Sequence, residues 1–134
     1  MMFLIDTNIC IHIMNDHPPE VIQKFREIGV GNICISSITV SELRYGACKS
    51  RQIKKNLKRI DEFLSPFEII SYDESAANHY GEIRSQLEKR GNVIGPLDML
   101  IAAHALSENL TLITNNEKEF KRVKSLEVEN WIAR

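Results

Sequence analysis

Asp6, Glu42, Asp98 and Asn116 lie far apart along the chain, yet each occupies the same kind of place. Asp6 and Asn116 follow apolar runs of strand type, while Glu42 and Asp98 open helical patterns that follow a strand or a loop. In an open parallel sheet that place is the carboxyl edge, where ligands bind. Carboxylates gathered there repel one another unless a proton or a cation intervenes. An all-oxygen donor set favours Mg²⁺ or Mn²⁺ over zinc, and Mg²⁺ keeps several waters while binding one or two carboxylates and phosphate oxygens. Such an ion would polarise a phosphoryl group and activate water for in-line attack, which is phosphodiester hydrolysis. Any one of these residues alone reads as a helix cap. Their joint placement is what points to chemistry.

The elements that must deliver these residues are legible as alternating strands and helices. Phe3-Leu4-Ile5 reads as a buried strand running into Asp6-Thr7-Asn8, which suit the cap of a first helix ended by Pro18 and Pro19. Val21, Ile22, Phe25 and Ile28 mark a second helix before Gly29. Ile33-Cys34-Ile35 reads as a strand and Ser36-Ser37 as a turn. Thr39 to about Ala47 reads as a helix with Glu42 in its first turns. Ile53, Leu57, Ile60, Phe63 and Leu64 give an amphipathic helix closed by Pro66, with a strand at Phe67 to Ile70. Ala76 to Leu87 is helical up to Gly91, and the Asn92 to Pro96 loop leads into the Asp98 helix. Leu110 to Thr114 reads as a strand, Asn115-Asn116 as a cap, Glu117 to Val123 as a short helix and Glu127 to Trp131 as an edge strand, with Trp131 a core anchor. The alternation predicts an α/β class fold with a parallel sheet.

At 134 residues, 43% hydrophobic and 26% charged, the chain is expected to form a single domain, 1–134, without disulfide or metal staples. Met1 to Asp6 has no basic leader and reaches a charge early, so neither a signal peptide nor a membrane span is expected, and the protein is expected to be cytoplasmic. Cys10, Cys34 and Cys48 are odd in number, lack C-x-x-C spacing and read as buried thiols. The four histidines are scattered. Cys10-x-His12 would not share a helical face, which disfavours zinc, and His104 follows Asp98 by more than one turn, which gives a general-base role little support. Asn8 stands where an aspartyl-phosphatase needs a second Asp, the Phe67–Ser71 strand lacks a receiver domain's acid, and neither a Gly-rich phosphate loop nor a nucleophile elbow is present. The net charge is −1, but seven of the 17 basic residues fall between Arg44 and Arg59 with no acid among them. That stripe reads equally as a phosphate-attracting surface or a solvated helix face.

Leu4-Ile5-Asp6-Thr7-Asn8, Ser41-Glu42-Leu43-Arg44-Tyr45-Gly46, Gly95-Pro96-Leu97-Asp98-Met99-Leu100-Ile101-Ala102-Ala103 and Leu112-Ile113-Thr114-Asn115-Asn116 through Glu119-Phe120 resemble the PIN domain, and most closely the VapC toxins of VapBC toxin-antitoxin modules. The likeness spans nearly the whole chain in order. It implies a PIN-like three-layer α/β/α domain with a central, mostly parallel sheet of four to five strands, and a Mg²⁺- or Mn²⁺-dependent endoribonuclease that inhibits translation. By the same resemblance Asp6, Glu42 and Asp98 hold the metal, and Thr7 or Thr114 supplies a hydroxyl that steadies the site. The family's fourth acid falls at Asn116, which offers a carbonyl oxygen but no charge, and Glu119 could contribute through water. The implied substrate is structured RNA, a tRNA anticodon stem-loop, with Arg44, Lys49, Lys54 and Lys55 as contacts and Tyr45 either a stacking residue or core. The implied partners are a VapB-like antitoxin whose tail arginine enters the acid cluster, and a second toxin copy, giving a homodimer within a hetero-oligomer. The alternative is a non-catalytic domain of the same fold that binds RNA or protein, suggested by Asn116 and the basic stripe.

Overall fold

Short apolar runs with strand propensity, each feeding a helix, build one sheet with helices on both faces. The computed structural model describes residues 2–132; the expected domain bounds of 1–134 also take in Met1, Ala133 and Arg134, which lie outside the described residues. The strands are β1 (Phe3–Ile5), β2 (Ile33–Ser36), β3 (Glu68–Ile70), β4 (Thr111–Ile113) and β5 (Val128–Glu129), all parallel, in the order β3-β2-β1-β4-β5. The helices are α1 (Thr7–Met14), α2 (Pro19–Ile28), α3 (Ser37–Cys48), α4 (Ile53–Leu64), α5 (Glu74–Lys89), α6 (Pro96–Ser107) and α7 (Glu117–Phe120), with a 3₁₀ turn at Val30–Asn32.

Strand alternation divides the core in two. Leu4, Cys34 and Leu112 pair across neighbouring strands and face one helical layer, where they meet Ile83, Leu87, Met99, Ala102 and Phe120. Ile5, Ile35 and Ile113 face the other and meet Ile9, Val21, Leu43, Ile60 and Phe67. The expected three-layer architecture is therefore present, and its sheet is wholly rather than mostly parallel. Trp131 is buried edge-on against Phe3, as expected of a C-terminal anchor.

Three local expectations need correction. Ser36-Ser37 is not a turn: Ser36 ends β2 and at the same time caps α3, its hydroxyl accepting the Ile38 amide at 3.1 Å, so strand passes directly into helix. The helix expected over Glu117 to Val123 stops at Phe120, after which the amides of Arg122 and Val123 bond only three residues back, the tighter pattern of a fraying helix end. Cys10 and Cys34 are buried as expected, but Cys48 at the end of α3 is exposed. Among the described residues no helix is long and apolar enough to cross a membrane.

The strand order places the switch between β1 and β4. From β1 the chain moves first to β2 on one side and later returns to β4 on the other, and loops that diverge from such a point leave a crevice at the carboxyl ends. Leu4, fully buried in the central strand, fixes the strand that ends at Asp6. Leu4→Ala is expected to lower the stability of the chain by about 3 kcal/mol, the usual cost of a Leu-sized void. Urea denaturation followed by circular dichroism measures it, and an unchanged midpoint would show that this layer is not the close-packed one described.

Candidate active site

Asp6 is the residue after β1, at the switch point. Its amide still belongs to the sheet, donating to the Ile113 carbonyl of β4 at 3.1 Å, while its side chain turns to cap α1 by accepting the Ile9 amide at 3.0 Å. The residue is only 8% exposed, and the Thr114 hydroxyl at the end of β4 donates to its carboxylate. That same hydroxyl accepts the Asn116 amide at 2.9 Å, so one fully buried threonine ties the ends of two strands together.

Burial pushes the Asp6 carboxyl from 3.8 up to about 6, with the charges of Asp98 and Glu42 adding to it and the Thr114 and Ile9 hydrogen bonds opposing. Asp98, in the first turn of α6, is also raised, by burial first and then by Glu42 and Glu119; the Asn116 amide, 3.4 Å from its Oδ2, acts the other way. Glu42 is half-buried in the second turn of α3 and accepts the Thr7 hydroxyl at 2.8 Å. Thus three acids from β1, α3 and α6 share one electrostatic neighbourhood, with Glu119 of α7 behind Asp98. Both candidate hydroxyls, Thr7 and Thr114, bond an acid.

Asn116 holds the N-cap position of α7 without making a side-chain cap bond; the side chain turns to Asp98 instead, as its use in a site rather than a cap would require. The donor set is therefore all oxygen and crowded with negative charge, which fits a hard divalent cation. Among the described residues no group of three or more carboxyl, imidazole or thiol side chains is arranged so that it could hold a metal ion by itself. A cation here would rest on one or two side chains, with water or phosphate oxygens completing its sphere, as Mg²⁺ tolerates.

The basic residues are placed less uniformly. Arg44 pairs with Asp61 at 2.8 Å, and Arg59 is engaged by the Met14 carbonyl and Asn15. Lys54 and Lys55 are exposed on α4, and Lys49 lies 5.0 Å from the centre of the Tyr45 ring. Tyr45, 65% exposed and three residues beyond Glu42, is not core. A cleft of about 210 Å³ opens beside Glu42, lined among others by Ile11, Met14, Leu43, Gly46 and Ile60. His104 does not join the acids: its fully buried ring bonds Ser36, a pairing that nothing in the sequence spacing could reveal.

Residues 3–126 match the PIN domain family. Among known proteins the chain is 46% identical over 132 residues to a ribonuclease VapC2 of Rickettsia felis, with 98% of each covered. It is 44% identical to a tRNA(fMet)-specific endonuclease VapC of Shigella flexneri, again over 98% of both. Its backbone superposes on a chain of DNA-bound VapBC from Salmonella typhimurium with a TM-score of 0.93 and 40% identity, covering 98% of this chain and 99% of that one.

Asp6 gives the site a measurable signature. Folded, it holds its proton more tightly than the unfolded chain does, so its contribution to stability declines as pH rises from about 4 through about 6. Asp6→Asn keeps an oxygen for the Ile9 cap but cannot ionise. In the presence of a chelator, the variant should match the parent near pH 4 and exceed it above pH 6 by on the order of 2 kcal/mol. Urea titrations across that range test this; a gap that does not change with pH would contradict the buried, mutually charged environment.

Proposed function

The chain belongs to the PIN domain family, and from that membership and its acid cluster we propose that it is the toxin of a type II toxin-antitoxin pair, an endoribonuclease that uses Mg²⁺ or Mn²⁺. The observation that carries the reading is the shared field of Asp6, Glu42 and Asp98 at the switch point of the sheet. Burial and neighbouring negative charge make the Asp6 and Asp98 carboxylates costly to ionise, and a divalent cation relieves that cost. A bound Mg²⁺ or Mn²⁺ supplies Lewis acidity toward a phosphoryl oxygen and a source of activated water.

The chain's own residues set the geometry. Thr114 and the Ile9 amide hold the Asp6 carboxylate in one orientation, and Thr7 fixes one oxygen of Glu42, leaving the other for water or ion. Asn116 offers Asp98 an amide proton, which leaves its carbonyl oxygen for the site. Glu119 adds negative charge behind Asp98 without occupying its place.

Structured RNA, and specifically a tRNA anticodon stem-loop, is the proposed substrate. Support comes from the tRNA(fMet)-specific name of the Shigella relative and from the exposed Tyr45, three residues beyond Glu42 with Lys49 against its ring, and the exposed Lys54 and Lys55 of α4, an aromatic face and cations that suit unstacked bases and phosphates. Arg44 would have to leave Asp61 to join them. A VapB-like antitoxin is the proposed partner, within a complex that also pairs two toxin copies; solved relatives are VapBC complexes. The apolar cleft beside Glu42, with Ile11 41% exposed at its rim, offers room for an antitoxin tail whose arginine reaches the acids.

Purified, antitoxin-free chain is expected to cleave total RNA with Mg²⁺ and not with chelator. Asp98→Asn and Glu42→Gln, still folded, should lose on the order of 10³-fold in rate, the scale of losing a few kcal/mol of charge stabilisation. Asn116→Ala should need more Mn²⁺ for the same rate. Binding of RNA without turnover by the parent would favour the non-catalytic alternative.

A further inference from the structure

α6 is apolar along most of its length, and His104 sits in it with no solvent exposure. Burying an imidazole is costly unless its nitrogens are hydrogen-bonded. Here Nδ1 lies 2.7 Å from Oγ of Ser36, which is also fully buried, and the ring meets Tyr72 edge-on. Burial depresses the ring's proton affinity although Glu108, Asp73 and the Ser71 backbone favour its charged form, so the ring is neutral near pH 7.

The protons can be counted. Ser36 Oγ accepts the Ile38 amide and is left with one proton and one lone pair, so it either donates to Nδ1 or accepts from it, according to the ring's tautomer. Either way amide, hydroxyl and imidazole meet in one buried polar contact. As a stabilising device this is modest, since replacing both partners by apolar groups is often neutral. Its location is more telling. Ser36 caps α3 six residues before Glu42, and His104 follows Asp98 by six residues on α6.

We propose that His104 is a positioning residue of the acid site, its Nδ1 bond to Ser36 fixing the Glu42-bearing helix against the Asp98-bearing helix. The role rests on the ribonuclease reading above. It makes no contact with RNA or cation; it acts by holding two carboxylates at the separation a shared cation requires.

Two near-isosteric variants separate this from a general need for a polar residue. In His104→Asn the amide can take the Nδ1 place as the partner of Ser36, through its oxygen or its nitrogen; in His104→Gln the amide reaches the Nε2 place and Ser36 loses its partner. His104→Asn should keep kcat, whereas His104→Gln should lose on the order of 10²-fold in kcat with KM unchanged, the scale of an ångström-sized misplacement. Calorimetric titration with Mn²⁺ should show weaker binding by His104→Gln alone. A folded His104→Gln with parental kcat and Mn²⁺ affinity, or unfolding of both variants, would overturn the proposal. A parent that cleaves no RNA while Mn²⁺ binding still falls only in His104→Gln would reject the ribonuclease reading and leave the positioning role standing.

Discussion

The structure turns on keeping negative charge where water is scarce. Asp6 is nearly buried, Asp98 and Glu42 are partly so, and each feels another's charge. Such a group of acids works against the fold unless something offsets it, and the surrounding structure supplies partial offsets. Hydroxyls come from Thr7 and Thr114, the first turn of α1 presents its Ile9 amide, and an amide stands at Asn116 where a further carboxylate would have added to the repulsion. None of these neutralises the charge. They orient it, and the remaining repulsion is the driving force for taking up a cation.

A parallel sheet with a switch between β1 and β4 explains why the acids meet. Successive strands point the same way, so residues that follow β1 and β4 emerge side by side, and the helices feeding the sheet begin at that same edge. The Asp6 amide bonded to Ile113 shows the two strand ends still paired at the point where their side chains turn toward the site. Two tightly packed cores, one on each face, leave the strand ends little freedom to drift.

Much of this was legible in the sequence because it depends on local pattern. Short runs of strand-forming residues such as Phe3-Leu4-Ile5 and Leu110 to Thr114 read as strands, and Asp6 after the first of them reads as both a cap and a sheet-edge acid. The order of the motifs alone links Asp6, Glu42 and Asp98. What local pattern could not show was long-range partnership. That Thr114 would serve Asp6 and Asn116 at once, that Arg44 would pair with Asp61, and that Ser36 would meet His104 across 68 residues of sequence are consequences of packing. The turn expected at Ser36-Ser37 failed for a local reason: serine favours turns and helix caps alike, and here the cap alone is used.

The central claim is that these far-separated acids act together on one cation. Anomalous scattering from crystals of the antitoxin-free chain soaked in Mn²⁺ tests it most directly. The account predicts one strong peak within coordinating reach of Asp6 and Asp98, bordered by Glu42 and the Asn116 carbonyl. A peak elsewhere, or none at Mn²⁺ concentrations that support cleavage, would contradict it.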